Sequence, residues 1–142
     1  MTRSTAQLRP VPRVILGGKR ANSDGAFFEP TILTNVSKGM PAYQEELFGP
    51  VAVIMVVRDE ATAIRIANDT KYGLGGSIYT RDIKRGRRIA EQLEAGMVFI
   101  NHPAWISDDM PFGGIKKSGY GRETGPLGIQ EFVNKKLVRV LT

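Results

Sequence analysis

Val51-Ala52-Val53-Ile54-Met55-Val56-Val57 is an unbroken apolar run with four valines. It is far shorter than the roughly twenty residues a membrane span needs. Its β-branched content reads as a strand buried on both faces. Working outward from it, Asp59 stands as a helix N-cap with Glu60 in the first turn. Ala63, Ile64 and Ala67 then recur at helical spacing, and Tyr72 with Gly73 reads as the close of that helix. Residues 76–80 read as a second, short strand. Ile83, Ala90 and Leu93 mark the inner face of a second helix, with Gly96 as its C-terminal stop, and residues 97–101 read as a third buried strand. Strand, helix, strand, helix, strand predicts an α/β fold: a parallel sheet with right-handed crossover helices. Ligands of such sheets gather at the C-terminal ends of the strands, which directs attention to the segment after Asn101.

On the N-terminal side, residues 1–12 are polar, contain Pro10 and Pro12, and read as an irregular tail. Residues 14–16 are a short apolar run, and residues 27–35 alternate weakly as a strand with Pro30 near an edge. Residues 38–50 carry Gly39, Pro41, Gly49 and Pro50 and read as a loop with one helical turn. On the C-terminal side, a loop with Trp105, Phe112, Gly113 and Gly114 leads to a short helix near residues 127–131, and residues 132–141 read as a final strand. The expected organisation is therefore a tail over 1–12, a body over 13–131 and a terminal strand over 132–142.

Composition narrows the function classes. The 142 residues suit one domain, and 42% hydrophobic with 24% charged residues suits a globular protein. Cysteine is absent, so the sequence provides no disulfide, thiolate metal site or thiol nucleophile. His102 is the single histidine, which argues against zinc. The net charge of +6 falls in modest clusters at residues 84–88, 116–117 and 135–139. The first cluster shares its helix with Asp82, Glu91 and Glu94, so a solvated face is expected rather than nucleic-acid binding. Residues 1–12 lack the apolar stretch of a signal peptide, and a cytoplasmic protein without membrane contact is expected.

Two stretches carry a family resemblance. One is Glu45-Glu46-Leu47-Phe48-Gly49-Pro50, directly before the valine-rich run. The other is Pro111-Phe112-Gly113-Gly114-Ile115-Lys116-Lys117-Ser118-Gly119, ending in Tyr120-Gly121-Arg122-Glu123. Between them lie Ala67-Asn68-Asp69-Thr70, Tyr72-Gly73-Leu74 and Gly96-Met97-Val98-Phe99-Ile100-Asn101. In order and spacing this set resembles the C-terminal part of the aldehyde dehydrogenase family, from about residue 13 onward. Asn101-His102-Pro103 with Trp105, and Gln130-Glu131-Phe132-Val133-Asn134-Lys135-Lys136, look most like its succinate-semialdehyde branch.

The resemblance implies roles. Glu46 would accept hydrogen bonds from the two hydroxyls of the nicotinamide ribose of NAD or NADP, since a carboxylate has two acceptor oxygens. Phe48 would lie against the nicotinamide ring. Read from composition alone, the same residues make an ordinary turn with an exposed glutamate and a buried phenylalanine. Phe112 would line the aldehyde pocket, with Gly113 and Gly114 permitting close backbone approach. Trp105 and Ile106 would shape substrate choice, with core packing the alternative for Trp105. Ser107 would be a contact for an acidic substrate tail. Asn101 is expected to hold the loop after its strand, and His102 to pack or be solvated rather than act as a base.

The family's chemistry uses a cysteine thiolate that attacks the aldehyde; the thiohemiacetal gives hydride to NAD(P)+, and a glutamate-activated water releases the acid. An asparagine helps to steady the oxyanion. These residues, and most of the cofactor domain, belong to parts of the family pattern that this chain does not match. The expectation is a C-terminal fragment, inactive alone, that binds NAD or NADP weakly or not at all and either self-associates or pairs with an N-terminal portion. The alternative is a non-catalytic interaction module that joins full-length relatives through its terminal strand.

Overall fold

The computed structural model describes residues 11–21 and 24–142. Most of the expected tail, residues 1–10, therefore lies outside the described residues. The chain forms two compact units, Met1–Arg58 and Asp59–Thr142.

In the first unit, β1 (Arg13–Leu16) runs antiparallel to β2 (Thr31–Thr34), and β2 runs parallel to β3 (Val51–Val53). The register pairs Thr31 with Val51 and Leu33 with Val53. Thr31 is buried and ties the sheet locally: its hydroxyl accepts the Gly18 N–H and donates to the Glu29 carbonyl, both at 2.8 Å. The single helical turn expected before the valine run is α1 (Pro41–Gln44), with proline in the first turn, where its missing N–H costs nothing.

The valine run departs from expectation. Only residues 51–53 are in the ladder, and exposure alternates along residues 51–57, with Ala52, Ile54 and Val56 on the open side. Val56 is 92% exposed. A parallel strand is buried on both faces only where layers cover both, and in this one the residues on one side are half-buried and those on the other exposed. Its neighbour is β2, so the expected three-strand parallel sheet resolves into smaller pieces.

The second unit holds the crossover. α2 (Glu60–Asn68) begins at Asp59, whose side chain accepts the Thr62 N–H at 2.7 Å. It ends at Asn68, earlier than expected, because Tyr72 and Gly73 form β4 (Tyr72–Gly73), antiparallel to β7 (Ile115–Lys116). β5 (Gly75–Ile78) and β6 (Met97–Ile100) are parallel and joined through α3 (Ile83–Ala90), a βαβ unit. Asp82 caps α3 by accepting the Arg85 N–H at 3.0 Å. Gly86 lets the helix sit close on the pair: a Cβ there would meet Ile100 and Thr80 methyl groups at 3.1 Å. Glu60 ties α2 to α3 through Arg85 Nε at 2.5 Å and Arg88 at 3.3 Å. α3 ends at Ala90, so Leu93 and Gly96 lie beyond it and Gly96 is not its stop.

α4 (Gly125–Gly128) continues as a 3-10 turn over Ile129–Phe132. Residues 133–142 join no ladder with a described residue, and Leu137, Val138, Val140 and Leu141 are exposed. Among the described residues Val36, at 8% exposed, is the one buried hydrophobic side chain. No described helix is long and apolar enough to cross a membrane.

Candidate functional site

The first unit presents Glu46 and Phe48 together on one loop. α1 closes where the Glu45 N–H bonds the Pro41 carbonyl at 2.8 Å. Two tight turns follow, Gly49 N–H to Leu47 O and Val51 N–H to Gly49 O, both 2.7 Å, and the Pro50 carbonyl anchors the loop by accepting the Thr31 N–H. Phe48 is 96% exposed, so this is not a turn with a buried phenylalanine. The Glu46 carboxylate is also exposed and carries no hydrogen bond or ion pair with any described residue. An exposed two-oxygen acceptor on the same loop as an exposed aromatic ring is the chemistry that suits a vicinal diol attached to a flat ring.

In the second unit, Trp105, Ile106 and Phe112 converge. They line two adjoining clefts together with Met97; one extends to Ser107 and Met110, the other to Leu74 and Ser77. Trp105 is 60% exposed, so core packing does not describe it. Met97 and Met110 escaped sequence reasoning. Their signal was available, since adaptable thioethers beside aromatic residues commonly line apolar clefts. Ser107 lines the cleft, but its hydroxyl donates to the Asp109 carboxylate rather than standing free.

The cleft is held from three sides. Asn101, in a left-handed conformation at φ +55°, clamps the ends of β5 and β6: its side chain accepts the Thr80 N–H at 2.7 Å and donates to the Thr80 carbonyl at 2.8 Å. His102 donates through Nδ1 to the Pro103 carbonyl at 2.7 Å, and its exposed ring meets the Trp105 ring edge-on at 6.3 Å. Phe112 is fixed by a two-bond bridge to Glu123, with N–H to O distances of 2.8 and 2.7 Å. The Thr124 hydroxyl bonds the Met110 carbonyl, and Arg122 donates to the carbonyls of Gly114 at 2.9 Å and Gly121 at 2.6 Å. No cluster of three metal-binding side chains occurs among the described residues.

Comparisons with known proteins agree with this fold. The NADP(+) succinate-semialdehyde dehydrogenase of Deinococcus radiodurans is 54% identical over 126 residues, 89% of this chain but 26% of that protein. The Escherichia coli succinate semialdehyde dehydrogenase Sad is 43% identical over 126 residues, 89% of this chain and 27% of that protein. The crystal structure of succinic semialdehyde dehydrogenase from Streptococcus pyogenes with NADP+ superposes with a TM-score of 0.88 at 41% identity, covering 92% of this chain and 29% of that one. The chain thus spans about a quarter of the length of the curated relatives it matches. Residues 10–138 match the aldehyde dehydrogenase family, and the chain belongs to that family.

Proposed function

We propose that this chain is the C-terminal quarter of an NAD(P)-dependent aldehyde dehydrogenase of the succinate-semialdehyde type. It supplies the nicotinamide end of the cofactor site and one wall of the aldehyde pocket, and does not turn over an aldehyde by itself. One observation carries the reading: Trp105, Ile106 and Phe112 meet around an apolar cleft in a chain without a single cysteine.

The residues present fit the cofactor's nicotinamide end. Glu46 would take the ribose hydroxyls and Phe48 would bound the ring, both being exposed. The nicotinamide held there would supply a hydride acceptor. The cleft's task is to keep the aldehyde dry and oriented, which can contribute several kcal/mol, about 7–11 in well-oriented intramolecular reactions. The family's thiolate has no counterpart here, and losing a nucleophile costs on the order of a million-fold in a serine hydrolase. An acidic substrate tail needs a cation, and the cleft-lining residues include no arginine or lysine. Its anchor is therefore not among these lining residues.

A graft tests the reading. The matching quarter of the Deinococcus radiodurans enzyme is replaced by this chain, and NADP+ reduction is followed with succinic semialdehyde. The graft is expected to oxidise the aldehyde, and this chain alone to oxidise none. A graft that folds and assembles like its parent but stays inert, or a chain active by itself, overturns the proposal. The exposed Leu137, Val138, Val140 and Leu141 favour a second reading, an interaction module that joins intact relatives through this segment. It predicts stable co-purification with an intact relative even when the graft is inert.

A further inference from the structure

Lys116 occupies β7 with a backbone φ of +56°. A long side chain rarely adopts this left-handed conformation unless its surroundings hold it there. Its ammonium lies among three oxygens: the Asn68 carbonyl at 3.0 Å, the Thr70 carbonyl at 3.2 Å and Glu94 Oε2 at 2.6 Å. The two carbonyls sit at and just beyond the end of α2, where carbonyls lack intrahelical partners and carry the negative end of the helix dipole. Asn68 extends the cluster, donating its amide to the Gln92 carbonyl at 2.8 Å and accepting the Glu94 N–H at 2.9 Å. One ammonium thereby ties the end of α2, the turn after α3 and β7.

An exposed ion pair contributes little by itself. This lysine differs because its side chain is only 24% exposed and bonds backbone carbonyls as well as a carboxylate. β7 directly follows Phe112, Gly113 and Gly114, so whatever sets its register sets where Phe112 enters the cleft. The same strap is engaged through Lys117 N–H to Lys71 O at 2.9 Å, and the Ser118 hydroxyl accepts the Gly73 N–H at 3.0 Å. We propose that Lys116 is a positioning residue for the aldehyde pocket, holding β7 in register against β4 and so fixing the Phe112 wall. This assignment rests on the pocket reading above.

Two measurements test it. In this chain, amide hydrogen exchange is compared between wild type and Lys116→Met. The Gly73 and Lys117 amides are expected to exchange about tenfold faster in the variant, the size of one lost charged hydrogen bond, while the Thr62 amide stays unchanged. Equal exchange in both, or no protection of these amides in wild type, overturns the register role. In the graft, Lys116→Met is expected to raise the aldehyde KM about tenfold with the NADP+ KM unchanged, and Lys116→Arg to recover most of the loss. A lysine that merely stabilises the fold would lower kcat and leave both KM values alone, which also overturns the proposal. An inert unsubstituted graft counts against the function reading, and the exchange comparison still decides whether Lys116 registers the strap.

Discussion

Replacing Gly96 by alanine adds one methyl group where the chain enters β6. Gly96 has no positive φ, so alanine is conformationally allowed and the effect is purely steric. The methyl would stand 2.0 Å from the Gly113 carbonyl oxygen, 2.7 Å from Gly114 Cα and 2.8 Å from the Gly113 carbonyl carbon. All three are backbone atoms, so no side chain can swing aside. Relief requires about 1 Å of separation, from 2.0 Å to the 3.0 Å below which such contacts are essentially never seen. If Gly96 retreats, its N–H bond to Gly73 O at 2.9 Å and the Met97 N–H bond to Leu74 O at 3.1 Å are strained. If the strap retreats, the Phe112–Glu123 bridge opens. Overpacking of this kind costs about 1–3 kcal/mol, and a lost hydrogen bond about 1 kcal/mol more.

The functional cost follows from where the displacement falls. Gly113 adjoins Phe112, and a 1 Å misplacement of a pocket wall can cost up to about a hundredfold in rate. In the graft, Gly96→Ala is therefore expected to lower kcat/KM for the aldehyde between about tenfold and a hundredfold and to lower the denaturation midpoint. Unchanged kinetics together with an unchanged midpoint would refute the claim that the two backbones are in contact there.

Other predictions concern the remaining elements. Glu46→Gln in the graft should raise the NADP+ KM about tenfold, the loss of a charged hydrogen bond, with the aldehyde KM unaltered; steady-state kinetics with each substrate varied decides it. Asp59 is held below its ordinary carboxylate value by the Thr62 amide, and Glu60 by the Arg85 guanidinium. Both contributions are thus present above about pH 4 and lost as pH falls through the lowered values. Helical ellipticity of the chain should accordingly fall on acidification below that range, with a shallower slope in Glu60→Gln. The chain alone should associate, because so many large apolar side chains are exposed; a sedimenting monomer with a sharp, concentration-independent unfolding transition would count against this.

Local signals were legible in the sequence, and long-range ones were not. Asp59 sits where capping chemistry needs it, and α2 begins there. Asn101 is expected to hold the loop after its own strand, and its side chain instead bonds the Thr80 backbone just beyond β5. Trp105, Ile106 and Phe112 reach one cleft because a single loop carries them off the end of β6. Tyr72 and Gly73 were misread as a helix close because their partners, Lys116 and Ile115, lie more than forty residues away. Gly96 was misread for the same reason: what makes it glycine is the Gly113 carbonyl, and no local pattern points there.

The misreading of residues 51–57 has a different cause. There the pattern is one suited to cover on both sides, and the described residues cover one. The open side is not generic solvent-facing surface. α3 shows what this sequence places against water, since Lys84, Arg85, Arg87 and Arg88 are all exposed. Burying a large aliphatic side chain is worth about 1.5–3 kcal/mol, and Ile54, Val56, Leu137, Val138, Val140 and Leu141 each leave much of that unrealised. Folded domains are stable by only about 5–15 kcal/mol, so a handful of such residues amounts to the whole margin. The stabilisation this composition could supply is therefore realised only when those side chains meet another surface. The same condition governs the proposed activity, because the aldehyde cleft beside Phe112 has no thiol of its own to face.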